Sequence, residues 1–316
     1  MAPLDRAAIS RHRHRNRLQS ILILVGICGW MALVGWLTAG AEGVVWALLG
    51  TLALLLFQPV RSTVLLRALF GAVPLSPTTA PGLFALMRGL AERAGLEQVP
   101  SVLYIPRAEL VALSTGTGSD AAIAVSGGLV DALPSRELAA VLAHEVSHHR
   151  HGDLRILRLA DAAGRLTRFL SLFGLLSLAI FLPATMAGIK LPLLPLLLLA
   201  VAPIATDLLT LELSRTREFA ADASAAEITG DAEGLMLALR RIDVLQGGGW
   251  ERLGRPPSWL RLFRTHPTTA ERLARLEELA PEPDYGRLPL PGPLLPDFSG
   301  YDFSRRRWPW PRPPNV

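Results

Sequence analysis

The 316-residue chain has one cysteine, one lysine and few charged residues of either sign. The single cysteine, Cys28, excludes an intramolecular disulfide, and its position in an apolar run predicts a buried, inert thiol. Charged residues make up only 19% of the chain, whereas hydrophobic residues make up 50% and the mean hydropathy is +0.35. This composition is too apolar for an ordinary soluble enzyme, so the sequence indicates a membrane protein.

A concentrated basic patch is also missing, although the net charge is +5. The basic residues are scattered, and all of them are arginines except Lys190. No segment interleaves clustered basic residues with aromatic ones, as a nucleic-acid-binding surface would. We therefore expect no nucleic-acid partner.

Four apolar segments are each long enough to cross ~30 Å of hydrocarbon as a helix. They occupy residues 18–38, 44–60, 169–187 and 191–211, and so form two closely spaced pairs. A cleaved signal peptide is an alternative for the first segment, because arginines precede it and small residues follow it. A buried hairpin in a soluble core is an alternative for the second pair, because Pro203 interrupts its last segment.

Arginines predict the orientation of these segments. They cluster before the first and third segments and after the second and fourth, whereas the intervening turns carry only Lys190. Arginine and lysine collect on the cytoplasmic side of membrane proteins. Both termini and the long segment between the two pairs are therefore expected in the cytoplasm.

Two β-like runs, at residues 101–105 and 121–130, predict a small sheet between the apolar pairs. The intervening Gly116, Gly118 and Ala121 match the G-x-G-x-x-A pattern of dinucleotide-binding loops. That pattern requires a following helix, whereas a β-like run follows here, so a glycine-rich hairpin turn is the better interpretation. The rest of the non-apolar sequence is mainly helical in pattern.

The segment ELAAVLAHEVSHHRHGD, at residues 137–153, predicts a helix with Ser135 as its cap. His144 and His148 lie one turn apart, so both imidazoles point the same way and can bind one metal ion. Glu145 is rotated by about 100° from His144, which places its carboxylate beside the ion. There it can accept a proton from water and pass it to a leaving amine. A solvated helix face that carries histidines by chance is the alternative.

A catalytic zinc requires a third protein ligand. The longer pattern H-E-x-x-H-x-x-G-x-x-H is excluded, because its last position holds Leu154. The segment LELSRTREFAADASAAEITGD, at 211–231, offers Glu218 as the ligand and Asp222 as the carboxylate that holds the remote nitrogen of a ligand histidine. Its alanines allow close helix packing. A surface network of ion pairs with the neighbouring arginines is the alternative.

Three segments together resemble the HtpX family of membrane zinc metalloproteases in the gluzincin group. They are AVLAHEVSHHRHGD, then SRTREFAADASAAEITGD beyond two apolar spans, then THPTTAERL. The resemblance covers about residues 75–279 together with the layout of four spans. It implies one Zn²⁺ per chain, bound by His144, His148 and Glu218, with Glu145 as the general base.

The same resemblance assigns two further residues to the site. The family's His-Pro segment corresponds to His266 and Pro267, and Arg272 lies on the helix that follows. Either side chain would shape the site or stabilise the oxyanion. A histidine that precedes a proline at the start of a helix is also an ordinary arrangement, which is the alternative for His266.

The implied fold is mainly α with a small β-sheet: an integral membrane protein with four transmembrane helices and a cytoplasmic gluzincin-like metalloprotease domain. The expected regions are a basic N-terminus (1–17), a first transmembrane hairpin (18–60), a catalytic segment with the histidine helix (61–165), a second transmembrane hairpin (166–211), a catalytic segment with the third ligand (212–280) and a disordered proline-rich tail (281–316).

The implied activity is that of a zinc endopeptidase of the inner membrane that hydrolyses membrane-associated or misfolded proteins at the cytoplasmic face in protein quality control. Its expected partners are membrane-protein or unfolded polypeptide substrates and the lipid bilayer. The edge near residues 110–114 would pair with an extended substrate strand. A zinc-binding sensor or scaffold with little turnover is one alternative, and a CAAX-type prenyl protease, with more spans than four, is another.

Overall fold

The computed structural model describes residues 6–56, 62–186, 188, 193–246 and 267–279. Its helices are α1 (Arg6–Leu56), α2 (Ser62–Phe70), α3 (Pro81–Ala94), α4 (Gly127–Ala132), α5 (Ser135–His151), α6 (Asp153–Met186), α7 (Leu193–Thr229), α8 (Ala232–Leu245) and α9 (Thr269–Glu277). Its strands are β1 (Val73–Pro74), β2 (Ser101–Ile105), β3 (Ala112–Thr115) and β4 (Ala122–Ser126). The fold is therefore mainly helical with a small mixed sheet, as the sequence predicts.

The four strands form one sheet in the order β1-β2-β4-β3. Strands β2 and β4 are parallel, whereas β1 and β3 pair antiparallel with their neighbours at the two edges. Gly116 and Gly118, both with positive φ, lie in the turn between β3 and β4. The hairpin-turn interpretation of this glycine-rich segment is thus confirmed, and β3 is an edge strand beside α5.

The second β-like run is only partly a strand, because the chain becomes helical after Ser126. The Ser126 hydroxyl accepts a hydrogen bond from the backbone N–H of Leu129, at 3.3 Å, and so caps α4. Gly128 is packed so closely that a methyl group there would lie 2.0 Å from the carbonyl oxygen of Ala108. The prediction of a strand over residues 127–130 was wrong, since a cap and a close backbone approach favour the helix.

The soluble region has one principal hydrophobic core. It lies between α3, one face of the sheet, α5, α8 and the C-terminal half of α7. Representative members with no more than 1% exposure are Leu83, Ile123, Leu142, Ala225 and Leu235. Helix α5 is buried over most of its length and reaches from this core to the start of α6.

The N-terminus of α5 differs from the predicted one, and its C-terminus fixes where the next helix begins. Pro134, not Ser135, precedes the helix, and no side chain caps it. The helix stops at Gly152, whose φ of 66° lies in the left-handed region that favours glycine. Helix α6 begins at the next residue, Asp153, so the chain changes direction directly after the histidine helix.

Three helices of the described chain are long and apolar enough to cross a membrane: residues 13–53 of α1, residues 153–180 of α6, and α7. All three expose large apolar side chains, such as Trp46, Phe173 and Leu194, on their outer faces. Cys28 is exposed on α1, so the expectation of a buried thiol was wrong. An apolar run places a residue in a helix but does not decide whether it faces the bundle or the surroundings.

Helix α1 is interrupted near its middle. Ala39 and Gly40 have non-helical dihedral angles, and Gly40 has a φ of 61°. A methyl group at Gly35 would lie 2.4 Å from the carbonyl oxygen of Gly43. Residues eight positions apart in a continuous helix are separated by ~12 Å along the axis. The chain therefore turns back on itself at this point, and the two glycines allow the two halves of α1 to touch.

The membrane-type helices pack against one another through side chain-to-backbone hydrogen bonds. Trp30 of α1 donates its indole N–H to the carbonyl of Ala202, at 3.1 Å. Ser171 of α6 donates to the carbonyl of Ala200, at 2.6 Å. Helix α7 continues through Pro203 to Thr229. One helix thus carries both the last apolar segment and the second sequence motif.

Candidate metal centre

Three buried side chains from two helices meet at the centre of the site: His144 and His148 from α5, and Glu218 from α7. One donor atom from each lies within 4.8 Å of the others. The Nε2 atom of His144 is 3.4 Å from one carboxylate oxygen of Glu218, and the Nε2 atom of His148 is 3.9 Å from the other. Each side chain belongs to a residue with less than 10% exposure. The structure therefore brings together the three ligands predicted from the sequence.

Close contact between α5 and α7 makes this meeting possible. The Ser147 hydroxyl donates to the carbonyl of Ala221 across the helix pair, at 3.2 Å. Ala221, Ala225 and Ala226 of α7 are fully buried. Small side chains allow two helix backbones to approach closely, so the alanine-rich motif positions the carboxylate of Glu218 beside the histidines.

His144 is held from behind by a carboxylate and an arginine, which we call the Asp222 network. The Nδ1 atom of His144 is 2.9 Å from Asp222 Oδ1. Arg272 of α9 donates two hydrogen bonds to the same carboxylate, from Nε at 2.7 Å and from Nη2 at 2.5 Å. The guanidinium also lies 3.9 Å from Glu218. The structure thus places Asp222 against His144, and Arg272 against Asp222.

His148 is held in the same manner by two residues that sequence reasoning did not place at the site, and we call them the Asp153 network. The Nδ1 atom of His148 is 2.9 Å from Asp153 Oδ2. Arg217 donates through Nη2 to the other oxygen of Asp153. Asp153 has 0% exposure and Arg217 has 7%. The one sequence signal for this network was the Gly152-Asp153 pair, which ends one helix and begins another.

The arrangement of charge fixes which nitrogen of His144 faces the ligand position. Burial disfavours the charged form, but hydrogen bonds to Asp222 and Glu218 outweigh it and raise the pKa of His144 to about 10. Burial would raise the pKa of Asp222, but Arg272 and the hydrogen bond to His144 lower it overall. Both shifts favour a carboxylate at Asp222 opposite Nδ1 of His144, and Nε2 is the nitrogen that lies toward Glu218.

The donor set fits a zinc ion. Two imidazole Nε2 atoms and one carboxylate match the two-histidine, one-glutamate ligand set of catalytic zinc sites. Both histidines have their other nitrogen fixed by a carboxylate, as metal-binding histidines usually do. The carboxylates that surround His144 stabilise positive charge at this position, so a cation suits the same cluster.

Glu145 lies between the two histidines in sequence and is buried with 9% exposure. Burial disfavours the charged form of Arg272, but the surrounding carboxylates, Glu145 among them, raise the pKa of that guanidinium overall. Helical geometry turns Glu145 away from the direction shared by the two imidazoles, and its role as a proton acceptor stays a prediction.

Arg272 lies in the first turn of α9, and hydrogen bonds at the N-terminus of this helix hold that turn in place. The Thr268 hydroxyl accepts a hydrogen bond from the backbone N–H of Glu271, and the Glu271 carboxylate accepts one from the N–H of Thr268, at 2.9 Å. This capping box fixes the first turn of the helix that carries Arg272. His266, the other residue that the resemblance assigns to the site, lies outside the described residues.

Comparisons with known proteins show the family to which this chain belongs. The sequence profile of peptidase family M48 matches residues 77–280. A Protease HtpX homolog from Polynucleobacter necessarius subsp. necessarius (strain STIR1) is 31% identical over 290 residues, which cover 85% of this chain and 98% of that relative. A second, from Sulfurihydrogenibium sp. (strain YO3AOP1), is 32% identical and covers 86% of this chain and 99% of its own length.

Among solved structures, S. mikatae Ste24p aligns with a TM-score of 0.49 and 18% identity, over 84% of this chain and 66% of that one.

The chain belongs to peptidase family M48 and is a protease of the metallo type. Its similarity to the HtpX homologs over nearly their whole length confirms the HtpX-type resemblance read from the three sequence motifs. Together with the three apolar helices, this makes it a multi-pass membrane protein. The His144, His148 and Glu218 cluster is the place where a metal ion of this family could bind.

Proposed function

We propose that the protein is a zinc-dependent endopeptidase of the inner membrane, which hydrolyses membrane-associated or misfolded proteins at the cytoplasmic face in protein quality control. His144, His148 and Glu218 hold one Zn²⁺, and Glu145 is the general base. The observation that carries the proposal is the convergence of three buried donor atoms within 4.8 Å, two from α5 and one from the extension of the apolar helix α7. Membership of family M48 supports the protease assignment.

The residues of the site have separate tasks in this mechanism. When bound, zinc supplies Lewis-acid chemistry that polarises a peptide carbonyl and lowers the pKa of water. Glu145 accepts the proton of the attacking water at its carboxylate and passes it to the leaving amine. Asp222 and Asp153 keep the two ligand histidines in one orientation. Arg272 positions Asp222, and the role of His266 in stabilising the oxyanion stays a prediction.

The substrate binds as an extended strand along the edge of the sheet. Among the described strands, β3 pairs with β4 and lies at the edge of the sheet, and Ala112 and Ser114 of β3 are half-buried. An edge strand is a ready template for a peptide backbone. Because β3 also contacts α5, a peptide on this edge lies beside the helix that carries both histidines.

The catalytic centre lies close to the membrane surface. Four spans follow if the two halves of α1 cross separately, which the reversal at Ala39 and Gly40 supports. Helix α7 runs without interruption from its apolar segment to Glu218, which is about seven residues, or ~10 Å, beyond Leu211. The arginines that flank the apolar segments favour the cytoplasmic side for this domain.

Metal analysis of the purified full-length protein tests the ligand set. Wild type should retain about one zinc per chain, and Glu218→Ala should lose most of it, because two protein ligands cannot hold the ion as three do. Glu212→Ala, on an exposed residue of the same helix, is the matched control and should retain zinc. Equal zinc content in all three proteins would contradict the assignment of Glu218.

The general base is tested separately with Glu145→Gln. This change keeps the size of the side chain but removes the proton acceptor, so zinc should stay bound while peptide hydrolysis falls by about 10²–10⁴-fold. Retained zinc with unchanged hydrolysis would exclude Glu145 as the base. If wild type binds zinc but cleaves no polypeptide, the protein is a zinc-binding sensor or scaffold instead.

Substrate preference follows from the position of the site. In a reconstituted bilayer, the enzyme should cleave cytoplasmic loops of membrane proteins faster than an unfolded soluble protein with the same cleavable sequence. The physical reason is that a membrane-anchored substrate is concentrated at the height of the zinc. Equal rates for the two substrates, compared at matched concentrations, would contradict this preference.

A further inference from the structure

A cavity of about 490 Å³ lies beside the metal centre, where α1, α5, α6 and α7 meet. It is enclosed by the N-terminal half of α1, the end of α5, the start of α6 and the C-terminal half of α7. We call it the membrane-edge pocket. Arg217 of the Asp153 network forms part of its wall.

Buried polar atoms in its wall lack partners. Asn16 has 3% exposure, and its side-chain oxygen makes no hydrogen bond with any residue that the structure describes. The same holds for the Nε atom of Arg217 and for the Nδ1 atom of His151, and both of these residues also line the pocket. Buried polar groups are nearly always paired, so three such atoms around one cavity indicate a ligand with both acceptor and donor groups.

The lining carries more positive than negative charge. Arg13, Arg17, Arg150 and Arg217 contribute four guanidinium groups, whereas Glu227 contributes one carboxylate and Asp153 is paired with Arg217. Glu227 is shared by two of these arginines, at 2.6 Å from Arg13 and 3.0 Å from Arg150. This excess favours an anion, and guanidinium groups are well suited to a phosphate.

One end of the pocket is apolar and lies within the first membrane segment. Residues 13, 16, 17, 20, 21 and 24 recur at helical spacing, so a single face of α1 lines the pocket from its arginines to Ile21 and Leu24. Leu22 and Val25, on the adjoining face, are more than 60% exposed. The pocket therefore joins an arginine-rich end to an exposed apolar surface of α1.

We infer that the membrane-edge pocket binds the headgroup of an anionic phospholipid, with the phosphate among the arginines and the start of one acyl chain along Ile21 and Leu24. The unpartnered oxygen of Asn16 suits a hydroxyl of the headgroup, and the Nε–H of Arg217 suits a phosphate oxygen. A free phosphate ion would satisfy the arginines but would leave the apolar end without an occupant.

The test measures lipid binding to the full-length protein in a neutral detergent by native mass spectrometry. The probes are phosphatidylglycerol, phosphatidylcholine and inorganic phosphate. Wild type should retain phosphatidylglycerol and should not retain phosphatidylcholine at the same concentration. Arg13→Gln combined with Arg17→Gln should bind phosphatidylglycerol at least about ten-fold more weakly, because each arginine contributes to the attraction of an anionic headgroup.

Arg15→Gln is the matched control, because Arg15 lies on the same helix between the two test residues but does not line the pocket. It should bind like wild type. Ile21→Trp fills the apolar end without a change in charge and should also weaken phosphatidylglycerol binding. It tests the predicted acyl-chain contact independently if the double arginine variant does not fold.

Three results would overturn the inference. Unchanged binding by the double arginine variant would remove the pocket as the site. A loss in Arg15→Gln as large as in the double variant would indicate general surface charge. Displacement of phosphatidylglycerol by an equal concentration of inorganic phosphate would assign the pocket to a soluble anion. None of these measurements depends on protease activity, so the inference and the proposed function fail independently.

Discussion

The two sides of the metal centre repeat one arrangement with different partners. On one side His144 is held by Asp222, which is held by Arg272; on the other, His148 is held by Asp153, which is held by Arg217. The first network reaches the C-terminal helix α9. The second faces the membrane helices, and its arginine lines the membrane-edge pocket.

The two networks differ in burial and in the number of hydrogen bonds. The side chain of Arg272 is 16% exposed and donates two hydrogen bonds to Asp222, whereas that of Arg217 is 8% exposed and contacts Asp153 through one nitrogen. The Asp222 network is thus stabilised mainly by the two parallel hydrogen bonds between the Arg272 guanidinium and the Asp222 carboxylate. The Asp153 network depends on a charge that water cannot easily solvate if its partner is removed.

The largest expected effect is therefore on the side that faces the membrane. Asp153→Ala should lower the free energy of unfolding of the chelator-treated protein by about 3–5 kcal/mol, because it leaves the Arg217 charge buried and unpaired. Asp222→Ala should cost less, since Arg272 keeps Glu218 nearby. Chemical unfolding in detergent compares the two variants, and a greater loss in Asp222→Ala would reverse the comparison.

Disruption of either network should weaken zinc binding to a similar extent. Asp153→Asn and Asp222→Asn each keep the shape of the side chain but remove the charge that fixes one histidine. Each should weaken zinc binding by about 10–100-fold, as loss of a carboxylate behind a ligand histidine usually does. Competition against a chelator of known affinity measures this without an activity assay. A loss confined to one variant would mean that only one histidine requires its carboxylate.

Replacement of arginine by lysine should separate the networks by geometry. Arg272→Lys removes the two-pronged contact with Asp222 and should lower the free energy of unfolding by about 1.5 kcal/mol, the value of one hydrogen bond to a charged group. Arg217→Lys should cost less, because one ammonium can replace a contact made through one nitrogen. Thermal unfolding of the two variants measures this difference, and equal losses of unfolding free energy would contradict the predicted difference in geometry.

The smallest effect concerns the start of α9, which affects only the Asp222 network. Thr268→Ala removes the capping hydroxyl and should cost about 1 kcal/mol. Hydrogen exchange of the α9 amides should accelerate roughly fivefold. Thr269→Ala, one residue later and inside the helix, is the control and should leave exchange nearly unchanged. Acceleration of α5 amides to the same extent would show that the effect is not local.

Some of this site could be predicted because helical spacing is a local property. His144, Glu145 and His148 have their relative directions fixed by 3.6 residues per turn, and Glu218 and Asp222 share a face for the same reason. The sequence also suggested one long-range contact, the packing of these two segments against each other, because the alanines of α7 allow two helices to approach closely. The structure adds that Asp222 faces His144.

Other features depend on how the helices turn and pack. Asp153 reaches His148 only because Gly152 adopts a left-handed conformation and redirects the chain, and its spacing from His148 follows no helical repeat. Arg217, adjacent to a predicted ligand, was assigned only to a possible surface network. The same limit explains Cys28, whose apolar neighbours did not reveal that it faces outward.

By itself, the sequence determined the residue types of the candidate metal cluster, their order and the apolar segments near them, because composition and helical periodicity act over a few residues. The tertiary structure alone decided which carboxylate supports each histidine, and it alone placed a basic pocket behind one of them. Those contacts join residues far apart in the chain, or across a turn, and their geometry exists only once α1, α5, α6, α7 and α9 have packed together.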